Sequence, residues 1–423
     1  MKNLIGKLKL VVGDGSLKGR LLFLLGALIV FRFLATIPIP GVNTERLQAF
    51  FSGNEFLGLL NLFSGGGLTN LSIIMLGVGP FITASIIMQL LTIMSPKIKA
   101  MYQEEGEAGR KKFSQYSRLL TVPMAVIQGF GFITLLSRNG AIDALSSFSL
   151  ITNLFIITAG AVLIMWIGEL ISEFGVGNGA SIIIFAGIVA GLPSIASQLF
   201  YTFNVSQIPL YLVFLVTTLV ITYGVVVVTE AERPIPITYA KRVRGMKVYG
   251  GISTYLPIRL NQAGVIPIIF ALSILLFPQM IFNFLSNINS VVLSSISNLV
   301  LNTLANQWVY GAMYFILVFL FTYFYTAVTF DPEMISGNLQ KSGAFIPGVR
   351  PGTPTSQYIS KILTRLTLVG ALFLGVIAIL PLIIRGITGI HSLSIGGTAL
   401  LIVVSVVIDL IKKINAQVSI REY

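Results

Sequence analysis

Ser85, Gln89 and Thr92 stand at helical spacing in the second half of an otherwise apolar stretch, Leu71 to Thr92. Their side chains are neutral hydrogen-bonding groups, suited to transient contacts and not to bond breaking. Val78 and Ile82 continue the same stripe toward the start of the stretch, so one helix face passes from branched apolar to polar. A face of that kind lines a funnel that is wet at one end and narrowed at the other, and apolar constrictions gate by excluding water. The same polar groups also serve as glue between packed helices. Asn261 and Gln262 repeat the mixture ahead of Gly264 and Pro267 in NQAGVIPIIFA. Titratable chemistry is scarce. Cysteine is absent and His391 is the single histidine, which excludes thiolate and His-rich metal sites. GVGNGAS (175–181) is glycine-rich but lacks the lysine of a phosphate-binding loop, and there is no HExxH. The expectation is therefore no enzyme, no metal and no cofactor, with energy supplied by a partner.

The elements that must carry these residues are membrane spans. Of the 423 residues, 55% are hydrophobic and 10% charged, where soluble domains carry about 25% charged residues. Ten apolar segments of bilayer-spanning length succeed one another, near 20–38, 71–94, 118–138, 151–171, 179–199, 208–230, 260–284, 308–330, 362–384 and 393–413. With a cytoplasmic N-terminus, all 28 basic residues except Arg32, Arg46, Arg138 and Arg385 fall on the cytoplasmic side, as the positive-inside rule requires. The first run comes after a basic tail, lacks a small-residue cleavage site and reads as a retained span. The net charge of +13 is mostly this bias. The stretches 139–150, 200–207 and 285–307 are uncharged or nearly so and read as simple connectors. Residues 56–70 differ: FLGLLNLFSGGGLTN is too short to cross and too apolar for an exposed loop, so it is either re-entrant, hinged at Gly65, Gly66 and Gly67, or a helix flat at the interface.

Gly77, Gly79 and Pro80 interrupt the second span, and Gly264 and Pro267 the seventh. The two lie five spans apart in a ten-span chain, the spacing of an inverted repeat with a central site. A secondary transporter keeps ionisable residues near the midplane. Here Glu169 and Asp409 lie toward cytoplasmic helix ends and Arg32 in the outer half of the first span, which favours a passive conduit.

Several longer motifs bear on the family. SIIMLGVGPFITASIIMQLL (72–91), WIGELISEFGVGNGASIIIFAGIVAGLP (166–193), YAKRVRGMKVYGG (239–251), STYLPIRLNQAGVIPIIFA (253–271) and GAFIPGVRPG (343–352) resemble the bacterial SecY family of protein-translocation channels. GALIVFRFLATIPIPGV (26–42) and GGTALLIVVSVVIDL (396–410) fit the same family. The resemblance implies an all-α membrane protein of ten helices in two pseudo-symmetric five-helix halves, 20–199 and 200–413, with cytoplasmic tails 1–19 and 414–423. It implies a pore ring of Val78, Ile82, Ala180, Ile184, Ile269 and Ile402, in which Val78 and Ala180 are smaller than usual. It implies a plug in 56–70, carried by Leu57, Leu60, Phe63, Ser64, Gly65, Gly66 and Gly67. Ser85, Gln89, Thr92, Asn261 and Gln262 then belong to a lateral gate or funnel, between spans two and three on one side and seven and eight on the other. Loops 231–259 and 331–361, with Arg242, Arg244, Lys247 and Arg350, match docking surfaces. The implied partners are SecE-like and SecG-like small subunits, the SecA motor, the ribosome, secretory and membrane polypeptides as substrates, and the lipid of the bacterial cytoplasmic membrane.

Overall fold

The computed structural model describes residues 15–40, 64, 66–68, 71–138, 142, 146–201, 208–239, 242–244, 247–249, 253–286, 291–388 and 396–422. Each of the ten apolar segments holds a helix there. They are α1 (Gly15–Leu34), α2 (Gly79–Met94), α4 (Gly106–Arg138), α5 (Ser147–Phe174), α6 (Gly179–Tyr201), α7 (Ile208–Glu230), α8 (Ile266–Leu285), α10 (Gln307–Thr329), α12 (Thr353–Thr388) and α13 (Gly396–Glu422). Three shorter helices are added: α3 (Pro96–Gln103), α9 (Val291–Ala305) and α11 (Pro332–Lys341). Among the described residues, five helices are long and apolar enough to cross a membrane on length and composition alone, namely those in α4, α5, α7, α10 and α12. Helix α1 misses that standard because Lys18, Arg20 and Arg32 fall within it. Helix α2 runs into α3 through a bend of 112° at Ser95, where Pro96 opens the new helix. A proline at the first helical position sacrifices no hydrogen bond.

Two expectations change. The second span is not helical from residue 71. Residues 71–78 form turns, Gly77 takes φ 54°, and the helix begins at Gly79–Pro80 with Val78 as its N-cap. Irregular backbone at membrane depth survives only where protein surrounds it, and Leu71, Ser72 and Ile74 are fully buried. Ile39 N donates to Leu71 O (2.9 Å) and Ile73 N to Ile37 O (3.0 Å), which zips this stretch to the end of the first span. The second change is α9. It occupies most of 285–307, a segment that reads as a plain connector in the sequence.

A small β element stands outside the all-helical body. Strands β1 (Glu232–Tyr239), β4 (Ser253–Arg259) and β5 (Ala344–Phe345) form a sheet in the order β4-β1-β5. Strands β2 (Arg242–Arg244) and β3 (Lys247–Tyr249) make a separate hairpin. Because β5 pairs Phe345 with Thr238 and Ala344 with Tyr239, the two long basic loops share one sheet. Their apolar faces close a core of their own, in which Ile235, Ile258, Ile346, Ile359 and Ile362 are buried.

Glycines set the closest helix approaches. At Gly160 of α5 a Cβ would lie 1.9 Å from the Ile73 carbonyl oxygen, and at Gly179 of α6 1.8 Å from that of Gly168. Backbone cannot yield as a flexible side chain can, so Gly160→Ala is expected to cost about 2 kcal/mol or more through overpacking. The thermal midpoint of the purified protein should fall, whereas Gly191→Ala, which meets open space, should leave it unchanged.

Candidate functional site

Five of the six residues named for the ring meet in one apolar cluster. Val78 (1% exposed), Ile82 (8%), Ile184 (1%), Ile269 (6%) and Ile402 (2%) are buried together, with Ile183, Ile188, Ile268 and Ile86 beside them. They come from α2, α6, α8 and α13, and α8 packs against both α2 and α4. The cluster is closed to solvent. Ala180, the sixth, stands apart from these five. It is half-buried, stands outside the cluster, and lines a pocket beside Val78, Met165 and Glu169. The cause is local: the tight seat of Gly179 on Gly168 holds the start of α6 against α5.

A cavity of about 280 Å³ opens on one side of the cluster. Ile182, Val265, Ile266 and Val406 supply its apolar lining, and Asn178, Ser181, Arg259, Asn261, Gln262, Ser405 and Asp409 its polar lining. Asn261 and Gln262 precede α8 on an irregular turn instead of lying within the helix. Gly264 at φ 63° permits that turn, and Gly370 of α12 lets Leu260 approach, since a Cβ there would sit 2.7 Å from the Leu260 oxygen. Gln262 Oε1 accepts from Arg259 N at 3.3 Å. Lys412 and Lys413 also line it and are engaged in the ion pairs Lys412–Glu230 (2.8 Å) and Lys413–Asp409 (2.9 Å). A second pocket, about 390 Å³, adjoins through Asn178 and holds the Arg118–Glu169 ion pair between α4 and α5. Spacing in the sequence places Glu169 and Asp409 at helix ends but does not single out Asn178, Ser181, Arg259 or Ser405. The one signal for Ser405 is its helical spacing from Asp409, four residues on.

The polar stripe of α2 divides. Ser85 and Gln89 are half-buried, while Thr92 is buried and spends its hydroxyl on Gln89 O of its own helix (2.6 Å). Of the residues named for the plug, Leu57, Leu60, Phe63 and Gly65 lie outside the described residues. Ser64 Oγ accepts from Leu68 N at 3.0 Å, Gly66 has φ 80°, and the Arg32 guanidinium lies 3.3 Å from where a Gly66 Cβ would be. A Cβ at Gly67 would meet Ser72 Oγ at 2.6 Å. In the basic loops, the hairpin register pairs Arg244 with Lys247 and Arg242 with Tyr249. Arg350 is exposed and comes just after a turn in which Val349 N donates to Ile346 O (3.1 Å) with Gly348 at φ 82°.

The SecY family model matches residues 72–411. The chain belongs to the SecY family. The "Protein translocase subunit SecY" of Mycobacterium tuberculosis is 39% identical over 428 residues, covering 96% of each chain. Two solved structures share the fold. "The structure of a protein conducting channel" has TM-score 0.64 at 19% identity over 95% of this chain and 93% of that one. "Sec61 in the Canine ribosome-channel complex from the endoplasmic reticulum" has TM-score 0.61 at 18% identity over 95% and 93%. The chain is thus a multi-pass channel subunit of a protein translocase and not an enzyme.

Proposed function

We propose that Val78, Ile82, Ile184, Ile269 and Ile402 form the waist of the translocation channel, and that the two pockets joined at Asn178 are lobes of its cytoplasmic funnel. The observation that carries this reading is their burial in one cluster, drawn from four helices of both halves, with a polar cavity on one side. A polypeptide in transit exposes backbone amides that lipid cannot satisfy, so a wet path removes that cost. Branched apolar side chains offer the passing chain no hydrogen bond to linger on and close behind it. A segment of about 20 apolar residues is more stable in lipid and leaves sideways. Ala180 contributes to the funnel wall on this reading, and Ser85, Gln89, Asn261 and Gln262 to the gate and funnel.

The halves are 20–199 and 200–413, both termini are cytoplasmic, and the membrane is the bacterial cytoplasmic one. Residues 56–70 serve as the plug, and the Arg32 guanidinium of the first span lies beside Gly66 within it. The shared sheet of loops 231–259 and 331–361 presents Arg242, Arg244, Lys247 and Arg350 to the SecA motor and to ribosomal RNA, where phosphate contacts weaken with salt. SecE-like and SecG-like subunits complete the assembly. Depleting the chain and surveying unprocessed precursors tests the role. Broad accumulation is expected, a narrow set assigns it to a few substrates, and none overturns the proposal.

A further inference from the structure

Helix α9, Val291–Ala305, presents three different faces. At 100° per residue, Ser297 and Leu304 point one way, and both are buried against the channel body, where α9 packs on α8 and α10. Val292 (68% exposed), Ile296 (50%) and Leu299 (68%) make a second strip. Exposed Ser295, Asn298 and Asn302 make a third, beside it. The helix carries no charge.

The start of α10 sets the depth of α9. Asn306 caps α10 through Oδ1 to Trp308 N (3.1 Å), and Gln307 Nε2 donates to Leu382 O (2.6 Å), so the junction is pinned to α12. Trp308 is 73% exposed, and Ile316 and Leu320 are exposed further along α10. Exposed tryptophan at the end of a spanning helix marks the membrane–water boundary. The end of α9 is therefore at that boundary too. Three bare aliphatic side chains at that level are unfavourable in water, by roughly 25 cal/mol for each Å² left wet. The neighbouring strip of Ser295, Asn298 and Asn302 suits headgroups and water. Lipid uses both strips.

We infer that α9 is an interfacial lipid-binding helix. Val292, Ile296 and Leu299 enter the acyl boundary, and Ser295, Asn298 and Asn302 remain among headgroups and water. Helices of this kind elsewhere lean on Lys and Arg; an uncharged polar face fits the outer side, where basic residues are scarce. Which leaflet is met rests on the orientation proposed above, but the embedding does not. Since α9 rides on α8 and α10, it ties one flank of the proposed gate to the lipid surface.

The chain has two tryptophans, Trp166 and Trp308. In a Trp166→Phe/Trp308→Phe background, single tryptophans are placed by Val292→Trp, Ile296→Trp, Leu299→Trp, Ser295→Trp, Asn298→Trp and Asn302→Trp. Each variant is reconstituted with its copurifying subunits into phosphatidylcholine vesicles containing lipids brominated at shallow or deep acyl positions. The first three should show blue-shifted emission that shallow bromine quenches, and the last three red-shifted emission that bromine barely affects. Red-shifted, unquenched emission at all six means water, and blue-shifted, unquenched emission at the first three means a protein cover; either overturns the inference. If an inserted ring disturbs folding, Trp308 itself, alone in the Trp166→Phe protein, decides: stronger quenching by shallow than by deep bromine is expected, and none overturns it.

Discussion

With Ile269→Asn or Ile82→Asn, secretory proteins with defective signal sequences should be exported, and ion conductance of the resting channel should rise. Both residues are nearly sealed from solvent, at 6% and 8% exposure, inside the cluster assigned to the waist. In the closed state an asparagine there has no partner built for it, and burying an unpaired amide costs about 1–3 kcal/mol. In the open state the same amide is wet and costs little. The difference falls on the closed state alone, so the open population should grow by about fivefold to a hundredfold, one factor of ten for each 1.4 kcal/mol. If opening of the proposed waist is what a signal sequence must bring about, a weak one then suffices. Ile188→Asn separates position from mere burial. Ile188 belongs to the same cluster but lies four residues beyond Ile184 on α6, so it should destabilise the protein without favouring weak signals. Unchanged export and unchanged conductance in both waist variants would remove the waist assignment.

The spans are legible in the sequence because the bilayer imposes a length and a charge bias that no soluble core imposes. The features that escape it depend on backbone meeting backbone. Nothing in LSIIMLGV separates eight residues of turn from two turns of helix, except Gly77 and the Gly79–Pro80 pair. Asn261 and Gln262 look helical by spacing, yet Gly264 at φ 63° and the opening left by Gly370 turn them into a loop. Pro234 and Pro236 argue against a central strand. They are tolerated in β1 because β5 pairs only with Thr238 and Tyr239, which leaves the side of β1 beside the prolines open. Helix α9 reads as a connector because its apolar residues divide between a buried face and an exposed one, so no single stripe stands out. Motif alignment places Ala180 in the ring, and the seat of Gly179 on Gly168, which turns it toward α5, cannot be seen from spacing.

Arg350→Glu should lower motor-driven export by at least about tenfold, the loss expected when a close charge pair across an interface becomes a like-charge contact. The loop itself should survive the change. Arg350 holds its neighbourhood through its backbone, since Thr355 Oγ1 donates to Arg350 O (2.8 Å) and Ser336 Oγ to Gly352 O (2.6 Å). The shape around it comes from the glycine turns and from Ile346 and Ile359 in the core beneath. The exposed guanidinium is thus free to serve a partner without structural duty. Lys361→Glu makes the same two-unit charge change at another exposed position, on α12. If both variants fall equally and recover together at low salt, the loops act through their summed field, which salt screens. If only Arg350→Glu falls while the complex still assembles, the contact is local, and the motor has a specific acidic counterpart for this side chain. Normal export by Arg350→Glu would dissociate the loop tip from docking and leave the shared sheet as scaffold alone.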